Sequence, residues 1–564
     1  MSDHQDRKEQ AIAYYQQNKV PLRMQDVLNV MFQANPLDVN GYVSTYFEDL
    51  AQTPTITRTF ALRYMDSKGS AAIGTKIYCL VRNKELLVGQ SQVAVDTELA
   101  DNVKVEDIEA EDEYREHEVE EAIILINNDF REILASANPR NQQELDEKLY
   151  QLVEKRRSEA KQQDEQRNIE TTTPVAADDG KKGAKKSAKG SGKKKNSQVP
   201  IVPDRPKEKA YPGSSAVTAL SQSLCQASAS LSSLSVYDHL ISCFGGDDYS
   251  ITLPLPMITL AQSGKAALGK CNCIKEFMIV PRSDMPMQDA VAAAAKFQES
   301  MVKAAFSKGG IIAKNLNDFG AVCPVLDKPE QGLDMVTDIV AQHGFEMGKD
   351  FFFILNAAAQ EFFDYEKGKY ELTTGALKAS EDMADFWADL CTRYPAIVGI
   401  IEPVRGEEME QWNKVCSSVS DHCLVIADRS YERPGLLKER ELNFAEFATS
   451  GVVLRLSGCT TISQVVECSK KLIDLNNTVI LAEGQHETND ATLVDVAIAC
   501  RARFIKLGAP SRGERVSKYN RLIDLDGELG ERRAQWKDLE FPTIPPKLPT
   551  PLPETDETGD NAEN

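Results

Sequence analysis

Eight short apolar runs punctuate the second half of the chain: ITLPLPMITL from 251, EFMIVP from 276, FFFILNAAA from 351, AIVGIIEP from 396, HCLVIAD from 422, SGVVLRLS from 450, NTVILAEG from 477 and ARFIKLGAP from 502. Amphipathic stretches of helical period lie between them. Runs this short, apolar on both faces and alternating with helical patterns, predict the buried strands of a parallel barrel. The expectation is a (β/α)8 barrel over residues 236–540. Catalytic groups of such barrels stand at the C-terminal strand ends. A lysine in a buried strand end, Lys506 of FIKLGAP, is costly unless it is used.

Upstream, TRTFALRYMDSKGSAAIGTKIYCLVRNKELLVG from 57 alternates as two or three antiparallel strands with Ser-Lys-Gly at a turn. Charged helical stretches follow from 106 to 160, giving an expected α+β domain over 53–235. The first 52 residues read as two helices about an Asn-Pro break. Met24, Leu28 and Met31 make one stripe; Val39, Tyr42, Val43, Tyr46, Phe47 and Leu50 make the other. So small a hairpin cannot bury both stripes alone. Residues 162–209 lose apolar periodicity and read as a flexible linker inserted in the α+β domain, and 541–564 as an extended Pro-rich, acidic tail.

Composition changes this picture in three ways. A net charge of -21 argues against nucleic acid as the main partner. The local exception is KKGAKKSAKGSGKKK, 181–195, with eight lysines and no acid, which reads as solvated linker. The twelve cysteines include no CxxC pair and read as reduced thiols, not as disulfides or zinc ligands. MSDHQDRKEQ has no apolar leader, and no run approaches the ~18 apolar residues that span a bilayer. The expectation is a cytoplasmic protein without a membrane partner.

The order of motifs then carries a resemblance. DSKGS from 66, SVYDHL from 235, KEFMIVP from 275, KGKYELTTG from 367, RYPAIVGIIEP from 393 and FIKLGAPSRGERVSKYNRLIDLDGELG from 504 resemble, in this order, the enolase family. Coverage runs from about Thr55 to Leu529. The resemblance implies an α/β fold, with an N-terminal α+β capping domain and a (β/α)8 barrel, here preceded by a helical dimerisation hairpin. VPLRMQDVLNVMFQANPLDVNGYVSTYFEDL from 20 is similar to the dimerisation-and-docking helices of cyclic-AMP-dependent protein kinase regulatory subunits; the alternative is a helical cap on its own chain. The hairpin, the basic insertion and SRGERVSKYNR resemble most a divergent testis- and sperm-associated branch of the enolases. That implies a homodimer with axonemal or docking-helix partners, in the cytoplasm or the sperm flagellum or cilium.

The family reaction converts 2-phosphoglycerate to phosphoenolpyruvate and water. A lysine removes the proton alpha to a carboxylate, two Mg2+ ions stabilise the ene-diolate, and a glutamic acid helps hydroxide leave. By resemblance the base position of LLLKVNQ falls on Arg455, and an arginine, protonated up to about pH 12, is a poor base. The acid of Gly-Asp-Glu-Gly-Gly falls on Phe319, beside Asp318, with Glu276 as the partner glutamate. The three metal carboxylates fall on Asn356, Ile401 and Asp428, with Glu402 a one-residue alternative to Ile401 and Arg429 replacing a second acid. The phosphate motif Ser-His-Arg-Ser falls on AEGQ, leaving Gly484 and Gln485, with His486 just beyond. Ser91 is the remnant of the mobile lid, Lys265 and Lys270 stand in the histidine loop, and Lys506 takes the position that binds the substrate carboxylate. Three readings stay open: a lyase, a non-catalytic enolase-fold subunit of a sperm or ciliary assembly, and a small-anion-binding barrel.

Overall fold

The computed structural model describes residues 2–95, 105–172, 202, 212–245, 250–265, 267–419, 422–429, 449–457 and 460–534. The lysine run 181–195 and the tail 541–564 lie outside the described residues.

The N-terminal segment forms three helices where two were expected: α1 (Ser2–Gln17), α2 (Val20–Ala34) and α3 (Val39–Asp49). Lys19 adopts left-handed φ, and Pro21 in the first turn of α2 has no N–H to continue a helix from before it. The expected break at Asn35-Pro36 is present, with Asn35 left-handed and Asp38 capping α3 through Gly41 N–H. Val27 is buried, but Leu22, Met24, Leu28 and Phe32 are exposed, Phe32 by 86%. Glu48 of α3 pairs with Arg82 of the next domain.

That domain opens with a three-stranded antiparallel meander, β1 (Thr55–Met65), β2 (Ala71–Val81) and β3 (Lys84–Ala94). Asp66 closes the β1–β2 turn, its Oδ1 accepting from the N–H groups of Lys68 and Ser70 at 2.9 Å. The sheet packs on helix Ser215–Leu231, whose small Ala and Ser residues are almost all buried. Gly89 makes that approach possible, because a Cβ there would stand 2.2 Å from the Ser223 carbonyl oxygen. The helix Gln142–Thr172 runs beyond residue 162, where loss of periodicity placed the start of the linker. Its Gln, Lys and Glu residues are good helix formers even without an apolar stripe.

All eight apolar runs become strands of one closed barrel, β4 (Leu255–Gln262), β5 (Glu276–Pro281), β6 (Phe351–Asn356), β10 (Ile397–Ile401), β11 (Leu424–Ala427), β12 (Gly451–Leu454), β13 (Thr478–Ala482) and β14 (Phe504–Gly508). Three short strands, β7 (Phe363–Asp364), β8 (Lys369–Thr373) and β9 (Ala376–Lys378), form a flap after β6. One feature departs from the parallel expectation: β5 is antiparallel to both β4 and β6. Among its described residues the link from β4 to β5 contains no helix, and the chain returns as a hairpin instead of crossing over. The consequence is positional. Glu276 begins β5, yet it pairs with Gln262 and Asn356, which end their strands, and so joins the rim at which the parallel strands end.

Inside the barrel, Leu255, Met257, Met278, Val280, Ile354, Val398, Leu424, Ile426, Val453, Ile480 and Phe504 form one closed apolar core. A separate shell, including Leu260, Phe277, Leu355, Ile400, Leu454, Ile505 and Leu507, packs the strands on the helices. Alternation along the strands separates the two, interrupted in β10 by a register shift between Ile397 and Gly399.

The exposed face of α2 is expected to be a contact between copies. Full-length protein at tens of micromolar, where a weak helical bundle assembles, should sediment as an oligomer, and a Leu28→Asp/Phe32→Asp variant should sediment at lower mass. Equal masses for the two would show that α2 is not the contact.

Candidate functional site

The strand period of two fixes what stands at the barrel mouth. Two residues beyond Phe504, Ile426, Val453, Ile354 and Met257, all inward, come Lys506, Asp428, Arg455, Asn356 and Thr259; Glu276 precedes inward Met278 by two. The topmost interior layer of an otherwise apolar barrel is therefore polar, and most of its members are buried. Buried charges persist only when paired and hydrogen-bonded.

Lys506 Nζ donates to Glu276 Oε1 at 2.7 Å, both side chains at most 4% exposed. Asn356 Nδ2 donates to the same oxygen at 2.8 Å, and Thr259 Oγ1 donates to Oε2 at 3.0 Å. Phe319 lies against this cluster, its ring centroid 4.9 Å from Lys506 Nζ and 5.3 Å from Arg515 Cζ. Its loop is pinned by a hydrogen bond from Ala509 N–H to the Phe319 carbonyl at 2.7 Å. Gly508, at φ +74°, is required there, since a Cβ would come 2.6 Å from that same oxygen.

On the next strands, both Asp428 oxygens accept from the two terminal nitrogens of Arg455, Oδ2 at 2.9 Å. Ile401 points into the apolar barrel core. Glu402 then takes φ +51° and turns its carboxylate toward β11, where Oε1 accepts from Asp428 N–H at 2.7 Å. So Glu402, not the directly aligned Ile401, is the acid of this strand end. Burial pushes the Asp428 carboxyl up, but Arg455, Lys506 and Arg429 outweigh it and hold it down to about 2. Glu276 is likewise held below the glutamate range, by Lys506 against the opposing effect of burial.

The phosphate-motif stretch behaves differently from its two named positions. Gly484 and Gln485 offer backbone carbonyls to Arg515 Nη2 at 2.8 and 3.3 Å. The charged side chain here is Glu483, which the motif comparison passed over. It is clamped by Arg515 Nη1 at 2.6 Å and Lys518 Nζ at 2.8 Å, all three fully buried. Arg515 and Lys518, three residues apart on helix Gly513–Leu529, lie on one face; that spacing was visible in the sequence, the buried partner was not. His486 is also structural: it bonds Asp66 Oδ2 and Arg115 Nη2, each at 2.6 Å, joining the barrel to the β1–β2 turn.

Other candidates stand apart from the mouth. Asp318 is half-exposed and pairs with Lys68 of the β1–β2 turn at 2.6 Å. Ser91 is buried inside the N-terminal domain, 2.7 Å from Thr75 Oγ1. Lys265 pairs with Glu371 at 3.2 Å. A small cleft of about 50 Å³ between the domains reaches Arg455, Ser457, Gly484 and Thr488.

Magnesium demands near-octahedral oxygen coordination. Here both Asp428 oxygens face a guanidinium, Glu402 accepts from a backbone N–H, and Asn356 turns its amide nitrogen to Glu276. Among the described residues no group of three or more His, Cys, Asp or Glu could hold a metal. The residues present do not fit the ion.

Comparison with known proteins agrees with this frame. The family model described as enolase, C-terminal TIM barrel domain, matches residues 250–541. A Xenopus laevis protein named enolase 4 is 30% identical over 558 residues, covering 97% of this chain and 96% of its own. The Homo sapiens enolase 4 is 29% identical, over 93% of this chain and 88% of its own. An enolase of Methanococcus aeolicus is 28% identical over 339 residues, 60% of this chain and 77% of its own.

The Asp428 carboxyl gives a pH prediction. A folded pKa of about 2 against the ordinary 3.8 contributes stability that is fully present above the unfolded value and is lost as pH falls through the folded one. The stability difference between wild type and Asp428→Asn, from urea unfolding, should be flat above about pH 5 and shrink by roughly 2 kcal/mol by about pH 1. A difference unchanged across that range would mean that the Asp428 carboxyl titrates alike in the folded and unfolded chain, so that Arg455 does not hold its charge in the fold.

Proposed function

The chain belongs to the enolase family and is enolase 4-like along nearly its whole length, and from that premise we propose that it is a non-catalytic, or severely impaired, enolase fold acting as a structural subunit. The single observation that carries the reading is the mutual engagement of the mouth residues. Arg455, at the position of the base, is a permanent cation bound to Asp428. Phe319, at the position of the acid, has no proton to give. Lys506, at the substrate-carboxylate position, is already neutralised by Glu276.

Each loss bears on a distinct need of the reaction that converts 2-phosphoglycerate to phosphoenolpyruvate. Proton abstraction needs a group that can be neutral near pH 7, and arginine cannot. The dianionic intermediate needs counter-charge, and of the oxygen donors that would carry Mg2+, both of Asp428 face the Arg455 guanidinium and Glu402 Oε1 accepts from a backbone N–H. An incoming substrate would have to displace buried ion pairs before binding, and breaking one costs about 3–5 kcal/mol. For the cellular role, we propose a cytoplasmic subunit of a sperm-flagellar or ciliary assembly, self-associated through α2 and α3. Their exposed apolar side chains and the docking-helix resemblance support it.

Purified protein with saturating magnesium and 2-phosphoglycerate should show phosphoenolpyruvate formation absent or at least ~10⁴-fold below an ordinary enolase, since base and acid contributions are each worth about 10²–10⁴. Arg455→Lys alone should not restore it, because the acid and metal positions remain substituted. Turnover near the ordinary rate that disappears in Lys506→Ala would overturn the reading.

A further inference from the structure

The mouth residues do more than fail to bind a metal; they balance one another. Three carboxylates, Glu276, Glu402 and Asp428, gather with three cations, Lys506, Arg455 and Arg429, the last felt at Asp428 as an attractive charge. The oxygen donors Asn356, Glu402 and Asp428 end the neighbouring strands β6, β10 and β11. Arg455 follows β12, the next strand round, and reaches back across to Asp428. A guanidinium presents a planar fork that fits a carboxylate through two parallel N–H bonds, as it does here. Among the described residues, with Arg455 in place these six charges balance, and both Asp428 oxygens that a divalent ion would take face its guanidinium.

We propose that Arg455 is the resident cation of this barrel mouth: its guanidinium supplies positive charge where other enolases use a bound divalent ion, so that the barrel needs no metal to keep Asp428 and Glu402 buried. This rests on the reading that the mouth is not a working lyase site, but it concerns stability and is read out without turnover. Arg455 is thus a positioning residue for the strand ends of β10 and β11. Its role is a matter of charge and not of side-chain bulk.

The test uses the full chain as wild type, Arg455→Met, and the double variant Asp428→Asn/Arg455→Met. The wild-type Tm should be the same with MgCl2 and with EDTA. Arg455→Met, which keeps length and loses charge, should lower Tm by on the order of 5–10 °C, the scale for orphaning one partner of a buried pair. Guanidinium chloride at tens of millimolar, against sodium chloride at the same ionic strength, should raise the Tm of Arg455→Met and leave wild type unraised. The double variant, with the orphaned charge removed, should recover more than half of the loss. Three results would overturn the proposal: an EDTA-reversible stabilisation of wild type by magnesium, an Arg455→Met Tm equal to wild type, or a loss that neither guanidinium nor the double variant repairs. If Arg455→Met fails to fold, a folded double variant supports the proposal and an unfolded one overturns it. Should turnover be found while these Tm results hold, the non-catalytic reading fails and the charge assignment stands.

Discussion

Burying charge at the top of an apolar barrel is the constraint to which the rest of this structure answers. An unpaired carboxylate or ammonium taken out of water costs several kcal/mol even after relaxation, comparable with the whole stability of a domain. The fold meets that cost with three closed sets: Lys506 with Glu276, Asn356 and Thr259; Arg455 with Asp428 and Glu402; and Glu483 with Arg515 and Lys518. Each set uses groups from different strands or from a strand and a helix. Closing them therefore fixes the strand ends in register and ties helix Gly513–Leu529 to β13.

Two local departures from ideal geometry make the closure possible. The hairpin return into β5 brings Glu276 to the rim, opposite Lys506; a parallel β5 would have left that glutamate at the far end of the barrel. The positive φ of Glu402, which costs a β-carbon residue of the order of 1 kcal/mol, moves its carboxylate past the inward Ile401 to the Asp428 amide. Strain at this place is retained because the surrounding hydrogen bonds over-determine it. The N-terminal domain adds its own constraint through Asp66, His486 and Arg115, which seat the β1–β2 turn on the loop after β13.

A site closed in this way keeps the architecture of a reaction centre with its charged groups already paired, and a fold by itself does not imply its reaction. A catalytic mouth must hold groups whose partners arrive with the substrate; here the partners are already covalently part of the chain. On the proposed reading, pre-satisfied charges suit a barrel carried as a structural body, with the exposed apolar side chains of α2 and α3 as its point of attachment.

The eight apolar runs, their inward and outward alternation and the three-stranded meander were legible because periodicity is a local property: the burial of each strand is written in its own residues. The identities at the mouth were legible in the same way, since Arg455, Phe319, Asn356 and Lys506 could be placed by motif order alone. What the sequence left open was decided by partners distant along the chain. It could not choose between Ile401 and Glu402, because the choice depends on a backbone turn stabilised by Asp428 N–H. It named Gly484 and Gln485 and passed over Glu483, because a glutamate reads as solvent-exposed until two cations 32 and 35 residues later are seen to bury it. The direction of β5 likewise depends on how the chain returns, whereas the break at Lys19 was local, written in Pro21 two residues on, and was missed. Local pattern determined which residues are buried; only tertiary structure decided which buried charge would face which, because electrostatic pairing depends on distance in space and not on distance along the chain.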